Sequence, residues 1–209
     1  MSLAEAKGLR IQFNMLVGGI SKFEGFYSIK DPRIQELLKA FIERGHRIGL
    51  HPSYNSFLDQ RLIDEEKKLL SKYCAQPVQA SRQHYLRFSV PLTWQYLRNA
   101  GIKEDSSMGY AAEPGFRCGT SHPFPVFDIH SRETVPILER PLLIMDVTFR
   151  YYLNLSPEAS MALCDQIIRQ VRKHQGELIF LWHNSNLSDV EDWSAWRKVF
   201  EYLMAISPD

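Results

Sequence analysis

The 209-residue sequence has only three cysteines, Cys74, Cys118 and Cys164, widely spaced and odd in number. Such a set makes no disulfide framework and fits a reducing compartment, so a cytoplasmic location is expected. Neither sign of charge is in surplus: 25 Lys and Arg stand against 24 Asp and Glu, a formal net charge of +1. Without a phosphate-neutralising excess there is no reason to expect a nucleic-acid partner. Long apolar runs are missing as well. Charged residues recur every few positions, and no window reaches the roughly 20 apolar residues that cross a bilayer, so no membrane partner is expected. Met1 to Lys7 lack the apolar core of a signal peptide. Several chemical signatures are also absent. There is no GxGxxG or P-loop, no His-Glu-x-x-His helix, no Cys-x-x-Cys and no Gly-x-Ser-x-Gly elbow. Dinucleotide, NTP, zincin and serine-hydrolase chemistry therefore have no local support. Cys118 reads as a small packed residue.

Two patterns alternate along the chain: short apolar runs of strand length, and longer stretches with apolar residues at i, i+3, i+4 spacing. Strands are predicted over Arg10–Val17, Arg47–Leu50, Pro77–Ser81, Ile102–Asp105, Pro141–Val147 and Glu177–Trp182. The helix opened by Asp31-Pro32 carries the stripe Ile34, Leu37, Leu38, Phe41, Ile42 and stops at Gly45. Further helices are predicted from about Phe57 to Tyr73 (with Leu58, Leu62, Leu69 and Leu70 inward), Pro91 to Asn99, Ser156 to about His174, and roughly Asp192 to Ala205. Residues 106–140 break this rhythm and read as a loop or hairpin insertion within a single domain, 1–209. Strand–helix alternation gives a parallel α/β sheet, open or closed into a barrel.

Polar residues gather where the predicted strands end: His51, Arg82, Asp105, Asp146 and His183. Strand ends of a parallel sheet share the face on which such folds place their active sites. Taken singly each match is unremarkable; five together point to a site.

The order of these segments resembles the polysaccharide deacetylase (NodB-homology) family. Ile48-Gly49-Leu50-His51-Pro52-Ser53-Tyr54-Asn55 is similar to the family's metal-binding His-Ser/Thr-x-x-His. Ser81-Arg82-Gln83-His84-Tyr85 resembles its Arg-x-Pro-Tyr, Gly101 to Ser107 its Asp-bearing segment, and Phe180-Leu181-Trp182-His183 its closing Leu-x-x-His. The insertion Gly115-Phe116-Arg117-Cys118-Gly119-Thr120 resembles uncharacterised bacterial members. The resemblance implies a distorted (β/α) barrel of about seven strands. It also implies a divalent metal, most often zinc, and hydrolysis of an N- or O-acetyl group from a sugar or polysaccharide. Carried over residue by residue, it makes His183, Arg82 and Asp105 the catalytic set and His51, Asn55 and His84 the metal set. Tyr85, Arg117, Trp182 and Asp146 are the expected substrate contacts.

Two departures stand out. The family's paired Asp residues belong to a strand before Arg10, and nothing here matches it, so the expectation is a barrel short of its first strand. Asn55 also stands where the family has a second His, and Asn is a poorer zinc ligand than imidazole. The alternative is therefore a glycan-binding relative without catalysis. An open strand edge makes a homo-oligomer an expectation too. Elsewhere, His46 is expected in solvent, with His122 and His130 in exposed loop, and His174 at a helix C-terminus. Trp193 and Trp196 are expected in the core, and Glu65-Glu66-Lys67-Lys68 on a solvated helix face.

Overall fold

A computed structural model of the chain describes residues 1–19, 21–25, 27–188 and 193–206. Eight strands and six α-helices are defined among them: α1 (Ser2–Glu5), β1 (Gln12–Met15), α2 (Pro32–Glu43), β2 (Arg47–Leu50), α3 (Gln60–Tyr73), β3 (Ala80–Ser81), α4 (Leu92–Asn99), β4 (Glu104–Asp105), β5 (Phe124–Asp128), β6 (Glu133–Glu139), β7 (Ile144–Met145), α5 (Pro157–Lys173), β8 (Phe180–Leu181) and α6 (Arg197–Ala205). The chain forms two compact units. One comprises 10–107 and 123–140, the other 1–9, 108–122 and 141–209.

In the first unit six strands form one sheet in the order β1-β2-β3-β4-β6-β5, parallel except for the β5–β6 hairpin. Its helices follow from local chemistry. The Asp31 side chain accepts from the Arg33 amide at 2.9 Å and Pro32 opens α2, while Gly45 leaves it with φ +79°. Phe41 of α2 stacks on Phe13 of β1, ring centroids 3.7 Å apart. Gly49 is needed in β2, because any Cβ there would collide with the Asn14 side chain and crowd the Ala80 carbonyl.

The second unit holds β7 and β8 as a separate parallel pair. Ser156 caps α5, its hydroxyl accepting from the Ala159 amide at 3.2 Å. Cys164, Ile167, Ile168 and Val171 of α5 pack with Phe149, Trp193, Trp196, Val199 and Leu203. No helix among the described residues is long and apolar enough to cross a membrane.

The mixed α/β, mostly parallel character matches the sequence reading. Several expectations need correction. The described strands pair as a six-stranded sheet and a two-stranded sheet, and His51, Arg82 and Asp105 stand at strand ends of the first while Asp146 and His183 follow strands of the second. The stretch 106–140 is not merely an insertion: β6 lies between β4 and β5 in the first sheet, with Val135, Ile137 and Glu139 turned inward. The helix predicted from Phe57 breaks at Asp59, whose side chain caps α3 at Leu62 after a separate 3-10 turn over Ser56–Leu58. Leu37 and Leu58 are exposed rather than inward. Glu66 is buried, because the inner stripe of α3 runs Ile63, Glu66, Leu70 at helical spacing. His46 is buried beside the Phe13 ring, where Nδ1 accepts from the Ile11 amide at 3.4 Å. The last helix begins at Arg197 after a 3-10 turn; its predicted start at Asp192 lies outside the described residues.

Candidate functional site

In the second unit β7 delivers Asp146 and β8 delivers His183 two residues past its end. Asp146 is fully buried and every contact it makes is a donor. Its Oδ1 accepts from the Val147 amide at 2.8 Å and from His183 Nδ1 at 2.7 Å. Its Oδ2 accepts from the His183 amide and from Asn186 Nδ2, both at 2.8 Å. Four donors fix the carboxylate, and the carboxylate in turn fixes the imidazole, with Nδ1 protonated toward Asp146 and Nε2 left as the basic nitrogen. The His183 side chain is 42% exposed, so this imidazole meets solvent while its anchor does not. Asp146, expected to touch substrate, is fully buried and hydrogen-bonded to His183 Nδ1. Asn186 was not foreseen in the sequence. Its signal, an amide three residues after the His in the turn closing β8, is legible only once Asp146 is placed there.

The two other expected contacts in this unit are engaged with protein. Trp182 packs edge-on against Phe200 and Trp193. Arg117 donates to the Gly109 carbonyl at 2.9 Å, with its guanidinium 5.7 Å from the Tyr110 ring. Cys164 is buried in the core, and burial pushes its thiol up to about 12; in the first unit burial pushes Cys74 up to about 11. Neither is a nucleophile at neutral pH.

In the first unit β3 and β4 bring Arg82 and Asp105 together in the interior. Asp105 accepts from the Ser81 hydroxyl at 2.5 Å and the Ser107 amide at 2.9 Å. Desolvation pushes its carboxyl up, opposed by those bonds and by the Arg82 charge. Arg82 donates through Nε to the Ser106 carbonyl at 2.9 Å, and burial lowers its guanidinium to about 10, still a cation at neutral pH. This buried pair, expected to catalyse, joins two short strands.

His51, at the end of β2, donates from Nδ1 to the Arg82 carbonyl at 2.5 Å, the tautomer a metal-ligating imidazole adopts. Its ring lies 4.8 Å from that of His84, whose Nδ1 sits 3.3 Å from Glu24 Oε2. Asn55 goes elsewhere: it is exposed and accepts from Arg87 Nη1 at 3.3 Å. Among the described residues, no group of three or more His, Cys, Asp or Glu side chains is arranged to hold a metal ion. The expected set of His51, Asn55 and His84 therefore does not fit a zinc centre, which needs three protein ligands around one point. Tyr85 follows His84 and is 58% exposed.

The fold is mixed α/β with a mostly parallel sheet, and solved structures share it. A crystal structure of a presumed polysaccharide deacetylase from Mycobacterium smegmatis matches 98% of this chain and 69% of its own, with a TM-score of 0.67 at 13% identity. The likeness is one of fold. A family 4 carbohydrate esterase from Streptomyces lividans, solved with acetate, matches 97% of this chain and 78% of its own at 12% identity and a TM-score of 0.48. No protein-family model matches the sequence, and no curated protein does.

Proposed function

We propose that this chain is a carbohydrate deacetylase-like hydrolase that removes an N- or O-acetyl group from a sugar or polysaccharide. The Asp146–His183 pair carries the reading, and the shared fold with a presumed polysaccharide deacetylase supports it. With Nδ1 committed to Asp146, His183 Nε2 takes a proton from water as that water adds to the acyl carbonyl carbon. The imidazolium then returns the proton to the departing amine or alkoxide, giving acetate and the free sugar. Asp146 stabilises the imidazolium between the two steps without being protonated itself. No part of this sequence of steps passes through a metal.

The test is acetate release from acetylated oligosaccharides by the full chain and by His183→Ala, each with and without added zinc and with a chelator. Turnover that depends on His183 supports the reading; turnover unchanged in His183→Ala overturns it. A second reading, glycan binding without hydrolysis, is favoured by Asn55, which faces Arg87 rather than His51. Glycan binding with no acetate release under any of these conditions decides for it.

A further inference from the structure

The three residues expected to share one metal ion are turned three ways. His51 donates from Nδ1 to the Arg82 carbonyl at 2.5 Å. His84 turns its Nδ1 to Glu24 Oε2 at 3.3 Å, and that carboxylate, 8% exposed, also accepts from the Ser21 hydroxyl at 2.8 Å and the Tyr54 amide at 3.3 Å. Asn55 can ligate a cation only through Oδ1, because its amide nitrogen is a donor. That oxygen accepts from Arg87 Nη1 at 3.3 Å. A zinc ion using it would have to sit beside a guanidinium, a permanent positive charge.

Arg87 is held on several sides. Its Nη1 also donates to the Tyr54 carbonyl at 2.6 Å. Its guanidinium carbon lies 3.9 Å from the Tyr54 ring centroid and 4.1 Å from that of Phe57. A guanidinium suits this position better than an ammonium: its plane lies on aromatic faces while its N–H groups bond at the rim. Phe23 stacks on Tyr54 at 4.3 Å, so it and Arg87 take opposite faces of that ring. Tyr85 meets Phe23 at 5.5 Å and Tyr54 at 5.3 Å, edge-on to both.

These contacts tie the segment after β2, bearing Tyr54, Asn55 and Phe57, to the segment after β3, bearing Tyr85 and Arg87. A structural metal joins segments in the same way, by taking ligands from each and making its binding part of folding. Here a cation that belongs to the chain makes the join.

We infer that the Arg87 guanidinium is the resident cation of this region, clamping the segments after β2 and β3, and that His51, Asn55 and His84 do not bind zinc. A positive group seated against the Asn55 oxygen repels a divalent ion, and the aromatic faces that hold it offer zinc no ligand. This goes beyond the hydrolase reading and holds whether or not the chain releases acetate.

Calorimetric titration of the chelator-stripped full chain with zinc chloride tests the metal part, beside His51→Ala. The two proteins are expected to give the same isotherm. Zinc binding that wild type shows and His51→Ala loses overturns the inference. Melts of the parent in chelator and in zinc are expected to coincide, and a lower melting temperature in chelator overturns it as well.

Melting temperatures of variants test the clamp. Arg87→Ala is expected to melt at least about 5 °C below the parent, having lost two ring contacts and two hydrogen bonds. Arg61→Ala, whose side chain is 73% exposed on α3, is expected to stay within about 1 °C. Arg87→Lys keeps the charge without the plane and is expected to fall between parent and Arg87→Ala. Should Arg87→Ala not fold, Arg87→Lys decides alone. Either Arg87 variant melting with the parent overturns the clamp: Arg87→Ala would show the side chain dispensable, and Arg87→Lys would show that any cation serves.

Discussion

Asp146 and His183 lie 37 residues apart in sequence and share one hydrogen bond of 2.7 Å, with the carboxylate wholly buried and the imidazole open to solvent. The asymmetry assigns their roles. A buried acceptor held by four donors cannot move, so it sets the tautomer of the group that meets water. Replacing Asp146 by Asn keeps the shape but offers an amide where an acceptor stood, favouring the wrong tautomer. Asp146→Asn is expected to lower acetate release by about 10²- to 10⁴-fold, the range general acid–base groups supply. In NMR the His183 ring nitrogen shifts are expected to report a changed tautomer relative to the parent. An unchanged tautomer alongside full activity would show that the pair is only a packing contact.

Asn186 is one of the four donors on Asp146, giving a neutral hydrogen bond at 2.8 Å. Its removal leaves Asp146 Oδ2 with the His183 amide alone. Asn186→Ala is expected to destabilise the chain by about 1–2 kcal/mol, the worth of one hydrogen bond to a buried carboxylate. Activity should fall further than this loss of fold accounts for, with the decrease in kcat rather than KM. A pure KM effect would place Asn186 in substrate binding instead.

The strand-end positions of Arg82 and Asp105 also carry a consequence for stability. Both end short parallel strands, and both sit in the interior in mutual contact through charge. Removing one partner strands the other: Arg82→Ala is expected to cost about 3–5 kcal/mol, typical of a broken buried pair. At about 2–4 °C per kcal/mol for a chain of this size, the melting temperature should drop by roughly ten degrees. A variant that melts like wild type but has lost turnover would restore Arg82 to the catalytic set.

Element types were largely readable, because hydrophobic period and capping residues act locally. Asp31-Pro32 with Gly45, and Ser156-Pro157, bounded α2 and α5 as expected. The hairpin of β5 and β6 falls within the expected loop or hairpin insertion, but its strands were not placed although Val135 and Ile137 alternate inward, since Pro136 between them breaks the appearance of a strand. Pro136 is tolerated on the exposed position of that alternation. The pairing of β7 with β8 depends on tertiary contact, which no local pattern encodes. At the candidate site, residue types at strand ends were legible and their partners were not. His183 was foreseen, but its dependence on Asp146 and Asn186 was not. Tyr85 was foreseen, but Phe23, Tyr54 and Glu24 reach it from segments that carry no motif.

Glu66 supplies the pH dependence that can be argued with a sign. It lies in the buried stripe of α3, accepts from the Ser53 amide at 2.8 Å through Oε2, and has no partner for Oε1. Desolvation pushes its carboxyl up, opposed by the bonds from Ser53 and reinforced by the charge of Glu24. A carboxyl raised in the folded state binds its proton more tightly there than in the unfolded chain. The stability it contributes is therefore complete below the ordinary carboxylate range and is lost as pH rises through the folded value. Above that window the buried charge is a net cost. Glu66→Gln keeps an acceptor for Ser53 and removes the charge. It is expected to raise stability at pH 7 to 8 by about 1 kcal/mol, or some 2–4 °C, and to leave stability near pH 4 almost unchanged. Melting temperatures of both proteins between pH 4 and 8 check this. The two curves should converge at the acid end and part as pH rises, and parallel curves would mean that Glu66 is charged or neutral alike in both states.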